Sequence, residues 1–186
     1  MRKDAQLNRQ RLIHAARECF QLRGANASLD EIALHAGVGR STLFRNFADR
    51  LELVRAVSTL ELDIVAEQAK SFETMQGGIF HLMRHLSKLS SVYRSLNVSL
   101  AAEGDGVAII AGSTRRAAML VAPFIERAKE DGLLNEGVSP EMVLMASDMM
   151  GAIFGAAFGL SEDESVEIGL RLLIEGLGKR TTASGT

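Results

Sequence analysis

The stretch HAGVGRSTLFRNF, residues 35–47, constrains this chain more than any other. Two glycines bracket Val38, and two arginines, small polar residues and two phenylalanines follow. Gly37 can take the positive φ that a sharp turn between helices needs, because it has no Cβ to clash. Val38 can plug the angle between the two helices. Gly39 lets the next helix begin close to other backbone or to a phosphate. Arg40, Ser41 and Thr42 then fall on the first turn of that helix. Leu43 and Phe47, four apart, point back into a core, and Phe44, Arg45 and Asn46 lie on the other side. A short helix, a glycine turn and a second short helix with a polar outer face describe a helix-turn-helix.

The flanks agree. Before the turn, SLDEIALHAG places Ser28 and Glu31 as a capping box, with Ile32, Ala33 and Ala36 on one apolar face. From about Asp4 to Arg23 apolar residues recur every three or four positions, which predicts an amphipathic helix ending at Gly24. Asp49 and Glu52 form a second capping box, opening a long helix to about Glu73. The rest also reads as helices: 79–90 and 92–103, which can be continuous; 107–131, kinked or restarted at Pro123; 140–159, capped by Ser139 and Pro140; and 162–178, opened by Ser161 with Glu164. The expected fold is all-α. A helix-turn-helix domain occupies residues 1–55, and a larger helical domain occupies 56–186.

Charge divides along the same line. Residues 1–55 hold ten Arg or Lys against six Asp or Glu, a net +4. The remainder holds eleven against seventeen, a net −6. A basic head on an acidic body suits contact with a polyanion. Arg can fork onto guanine and Asn onto adenine in the major groove. Ser28 and Arg50, at helix starts, are placed to hold phosphates. The candidate DNA-binding set is therefore Ser28, Arg40, Ser41, Thr42, Phe44, Arg45, Asn46 and Arg50. A helical hairpin that binds no nucleic acid shares the same pattern and is the competing reading.

Other classes find less support. The N-terminal MRKDAQLNRQ is charged, and no apolar stretch follows it. The longest uncharged run, Met149–Ser161, is 13 residues, shorter than the roughly 20 a membrane span needs. The sole cysteine, Cys19, cannot form an internal disulfide. The expectation is a cytoplasmic protein with no membrane partner. There is no nucleophile motif, no phosphate-cradling glycine loop and no cluster of metal ligands, so no enzyme, cofactor or metal is expected. His81 and His85 are one turn apart, a spacing that can clamp a metal, but they lack the accompanying glutamate or cysteine.

The sequence SLDEIALHAGVGRSTLFRNFADRLELVRAV, with RLIHAARECFQLRG before it, resembles the head of the tetracycline-repressor (TetR) family of transcriptional regulators. The resemblance is dense over about the first 57 residues; the body resembles the family in architecture only. It implies an all-helical homodimer that binds a palindromic operator in double-stranded DNA, usually as a repressor released by a small-molecule effector. The family's groove- and phosphate-facing positions fall on Arg40, Ser41, Thr42, Phe44, Asn46 and Arg50. Phe44 stands where the family often has tyrosine, and Asn46 where it often has an aromatic residue or histidine. Arg50 replaces a frequent lysine and keeps the charge.

In the body, MMGAIFGAAFG sets Gly151, Gly155 and Gly159 on one helical stripe beside Ala152 and Ala156. Such a stripe lets another helix come close, within the chain or from a second copy. The resemblance places 143–159 and 166–177 in the dimer. Candidate effector contacts are Phe80, His81, Met83, His85, Tyr93, Met119 and Phe124, in which a few polar groups would punctuate an apolar cavity. The same Met and Phe spacing also fits an ordinary core. The competing overall reading is a helical interaction module without sequence-specific DNA binding. Operator, effector and target genes are not written in the sequence.

Overall fold

A computed structural model describes residues 2–102, 104–152 and 159–177. These residues form eight α-helices: α1 (Arg2–Arg23), α2 (Leu29–His35), α3 (Arg40–Asn46), α4 (Arg50–Ala69), α5 (Gly78–Ala101), α6 (Gly104–Glu130), α7 (Pro140–Ala152) and α8 (Glu162–Leu177). No strand occurs among the described residues.

The chain divides into two compact units. The first joins residues 1–64 to 92–113, and the second joins 65–91 to 114–186. The sequence places a boundary at residue 55; the first unit extends beyond it along α4 and takes in the end of α5 and the start of α6.

In the first unit, helices α1, α2 and α3 pack on one another. Their apolar stripes supply Leu12, Ala16, Phe20, Ile32, Ala33, Leu43 and Phe47, all buried, and α4 adds Leu53, Val54 and Val57. Removing each large side chain among them from water is worth about 1.5–3 kcal/mol. Gly24 closes α1 at φ +56, and a Cβ there would lie 1.8 Å from Oγ of Ser95 on α5. Only glycine satisfies both the backbone angle and that close approach.

The second unit has its own core. Val65 and Ala69 of α4 meet Ile79, Leu82, Met83 and Leu86 of α5, and Val121, Phe124, Ile125 and Ala128 of α6. Val143, Ala146 and Met150 of α7 and Val166 and Leu170 of α8 complete it. Helix starts follow the local signals. Ser139 caps α7 with Pro140 as the first helical residue, its Oγ accepting from Met142 N at 3.4 Å. Ser161 and Glu164 exchange bonds at 2.9 and 3.3 Å to open α8.

Two alternatives left open by the sequence are decided. Residues 78–101 form one continuous helix. Residues 104–130 are another, running through Pro123 without restarting. Pro123 lies on the exposed side, as does Met119 one turn earlier, where water can reach the carbonyl that loses its N–H partner. By length and composition, 105–130 could cross a membrane. Ala117, Val121, Phe124, Ile125 and Ala128 are buried on one side of it, while Arg115 and Arg116 are exposed.

Candidate nucleic-acid interface

The helix-turn-helix is built as its residues dictate. Oγ of Ser28 accepts from Glu31 N at 3.2 Å, and Oε2 of Glu31 accepts from Ser28 N at 2.9 Å, completing the capping box. The Ser28 N–H, and the Ser28 Oγ that donates to the same Oε2 at 3.0 Å, hold the Glu31 carboxyl below its usual pKa, with Arg23 adding a smaller pull. Arg23, in the last turn of α1, is ion-paired to Glu31, and Glu18 of α1 bonds His35 in the last turn of α2.

Helix α2 ends in a Schellman turn. Gly37 takes φ +67; its N–H donates to Leu34 O at 3.0 Å, and Val38 N donates to Ala33 O at 3.0 Å. Gly39 then caps α3. At the far end, Arg9 of α1 donates to the carbonyl of Asn46 at 2.9 Å, and its guanidinium lies 4.2 Å from the centre of the Phe47 ring. A cation on the last carbonyls of α3 suits the negative end of that helix.

Leu43 and Phe47 are fully buried, which fixes the rotation of α3. Arg40, Ser41, Phe44 and Arg45 are thereby exposed, with Thr42 and Asn46 half-buried at the edges. Arg40 reaches Oδ2 of Asp30 at 3.2 Å, and its guanidinium lies 5.6 Å from the centre of the Phe44 ring. Arg45 donates to Ser41 O at 3.2 Å and Thr42 Oγ1 at 3.1 Å. Asn46 donates to Thr42 O at 2.8 Å. The two arginines of this face therefore rest on α3 itself or on Asp30, in solvent-exposed contacts that exchange at little cost. Six of the eight candidate DNA-binding residues thus share one outward helix.

Arg50 does something other than expected. Its guanidinium turns inward, donating to the carbonyls of Ala27 and, at 2.9 Å, of Ala25, and lies 5.0 Å from the centre of the Phe20 ring. The charge read as a phosphate ligand locks the connection between α1 and α2. Those carbonyls lie 23 and 25 residues away, beyond the reach of a local reading. The sequence also missed Asp30 and Arg9 as supports of α3, because neither pairing follows a fixed spacing.

The candidate effector residues are not gathered in one place. Met83 and Phe124 are core side chains, and Phe80 packs against that core. Met119 is 73 % exposed. His81 and His85 lie on Phe72, with ring centres 5.3 and 5.2 Å away, and Nδ1 of His85 is 2.9 Å from the carbonyl of His81. Tyr93 belongs to the first unit, where its hydroxyl donates to the buried carboxylate of Glu61. An open cleft in the second unit holds Phe124 beside Glu73, Glu126, Arg127, Glu130 and Asp131.

The glycine stripe is divided. Gly151 is buried, and a Cβ there would lie 2.7 Å from the carbonyl of Ser87 and 3.1 Å from the amide of Ser91, so it admits α5 of the same chain. Ala152 is exposed, and Gly159, at φ +67, forms a turn. Gly155 and Ala156 lie outside the described residues. The apolar face that α7 does expose carries Met142, Met145 and Met149, and α8 exposes Ile168 and Leu172.

Residues 12–57 match the family model of bacterial regulatory proteins of the tetR family. Over 93 residues the chain is 36 % identical to an HTH-type transcriptional regulator of Staphylococcus aureus, covering 45 % of this chain and 50 % of that protein. The chain thus spans about half the length of the curated relatives it matches. A TetR transcription regulatory protein of Mycobacterium vanbaalenii shares the fold at a TM-score of 0.67 and 22 % identity, over 96 % of this chain and 99 % of that one. SmeT, repressor of the Stenotrophomonas maltophilia multidrug efflux pump SmeDEF, does so at 0.60 and 19 %, over 96 % and 94 %.

Proposed function

We propose that this chain, whose residues 12–57 match the tetR-family model and whose fold is shared with TetR-family structures, is a transcriptional regulator that binds double-stranded DNA. The observation that carries this reading is the rotation of α3. With Leu43 and Phe47 in the core, it turns Arg40, Ser41, Phe44 and Arg45 outward together, with Thr42 and Asn46 at the edges of the same face. A recognition helix set in this way enters the major groove and meets base edges with its N-terminal residues. The local +4 charge supplies the salt-sensitive attraction to phosphates.

The working form is a homodimer on a palindromic operator. One seven-residue helix reads few bases, whereas two related by a two-fold axis read matched half-sites about one DNA turn apart or a multiple of it. The exposed Met142, Met145 and Met149 of α7, with Ile168 and Leu172 of α8, favour a second copy as the partner. The regulator is a cytoplasmic repressor, and a small molecule bound in the second unit releases it. Release requires unequal effector affinity for the DNA-competent and incompetent states. Helices α4 and α5, which contribute to both units, carry the change.

The test is selection from random DNA duplexes with the full chain at two salt concentrations. The expected result is an enriched palindrome whose binding weakens steeply with salt. A folded protein that enriches no sequence at either concentration, with or without small-molecule hits from thermal-shift screening, would leave a helical interaction module as the better reading.

A further inference from the structure

Phe44 is the exposed apolar side chain of α3, among polar neighbours. It is 42 % exposed, while Leu43 and Phe47 beside it are fully buried, so its ring is directed away from the core of the head. One helical turn earlier stands Arg40, with its guanidinium 5.6 Å from the centre of that ring. Asp30 of α2 holds the same guanidinium at 3.2 Å. The arginine is therefore steadied by a ring on α3 and a carboxylate on α2.

From this arrangement we infer that Phe44 and Arg40 read DNA as one unit. The Phe44 ring receives the C5-methyl of a thymine, and Arg40 forks onto O6 and N7 of a guanine one or two base steps away. The inference rests on the DNA-binding reading and names the step that reading would recognise.

The chemistry selects the thymine. A phenyl ring neither donates nor accepts a conventional hydrogen bond, so it cannot serve a phosphate. Along the major groove the base edges present donors and acceptors and one apolar group, the thymine methyl. Pressed on any other edge, the ring would cover a polar group and leave it unpaired. The spacing selects the neighbour. Successive base pairs are about 3.4 Å apart, so groups separated by 5.6 Å address base pairs one or two steps apart. Asp30 adds direction. Its carboxylate repels a phosphate that approaches Arg40 from the α2 side, which favours the base edge as the arginine's partner.

The probe is the duplex recovered by selection, resynthesised with each thymine in turn replaced by uracil, which lacks only the methyl. Wild type and Phe44→Ala are titrated against the whole set. Because Phe44 is exposed, the variant keeps its fold, and thermal melting verifies this. At one thymine per half-site, within two steps of a guanine, uracil should weaken wild type about fourfold, the value of one buried methyl. Phe44→Ala should bind the thymine and uracil duplexes equally. Full-strength binding of every uracil duplex by wild type would overturn the inference while leaving DNA binding intact. So would a uracil effect that persists in Phe44→Ala, since another residue would then read the methyl. If no duplex is recovered, the DNA-binding reading itself fails, and the inference falls with it.

Discussion

The phenol of Tyr93 on α5 donates to Oε1 of Glu61 on α4, 32 residues earlier in the chain. The same oxygen accepts from Nε of Arg17 at 2.8 Å and Nε2 of Gln21 at 3.0 Å, both on α1. Glu61 is 5 % exposed, so this carboxylate is taken out of water and repaid by three donors from two other helices. All four residues lie in the first unit, where they tie α1, the helix on which α2 and α3 pack, to α4 and α5.

Burial raises the pKa of Tyr93, and the bond to Glu61 and the charge of Glu61 raise it further. The folded state therefore keeps the phenol proton more tightly than the unfolded state, whose ordinary value is 10.0. The resulting stability is complete below pH 10.0 and is lost as pH rises above it. Tyr93 is the only tyrosine, so tyrosinate absorbance reports this group alone. The absorbance should appear together with alkaline unfolding. A reversible titration near the ordinary value, in protein that is still folded, would contradict the geometry.

Removing the hydroxyl with Tyr93→Phe should cost about 1.5–3 kcal/mol, the usual range for a hydrogen bond to a charged group. Glu61→Ala should cost more, because it leaves Arg17, Gln21 and Tyr93 without their shared acceptor. Water reaching the side chain of Arg17, which is 32 % exposed, softens that loss. Urea denaturation of both variants checks the order of the two values.

Arg50 braces the head by its contacts with Ala25 and Ala27. Arg50→Ala should lower stability by about 1.5–3 kcal/mol in urea denaturation. On the selected duplex it should weaken binding at any salt concentration without reducing the slope of log affinity against log salt. A loss of about one unit of slope with unchanged stability would return Arg50 to the phosphate role that the sequence suggested.

Met145 is 65 % exposed at the middle of the apolar face of α7, and Leu172 is 65 % exposed on α8. Met145→Glu with Leu172→Glu should convert the proposed dimer to monomer in sedimentation equilibrium while leaving helical content unchanged. A variant that remained fully dimeric would place the interface on another face.

Cys19 is half-buried, and its thiol pKa is raised from 9.0, by burial first and then by the charge of Glu31. Less thiolate is present at neutral pH than for a free thiol. Alkylation of the folded protein should be slow and should accelerate on unfolding, as mass spectrometry would report. Rapid labelling under native conditions would contradict this placement.

What the sequence by itself determined were the features set within a few residues. The capping boxes at Ser28 and Ser161 close between groups three residues apart, and the turn at Gly37 depends on one residue's φ. The rotation of α3 follows from Leu43 and Phe47 lying four apart. These determinants are written in consecutive letters, so the helix-turn-helix and its outward face could be read directly. Tertiary structure alone decided which polar and apolar groups found partners far along the chain. It turned Arg50 inward, gave Tyr93 to Glu61 and set Gly151 against α5. It also sorted the methionines, placing Met83 in a core and Met145 in solvent. Burial and hydrogen bonding depend on which surfaces meet in space, and helical periodicity shows that a face is apolar without showing what covers it.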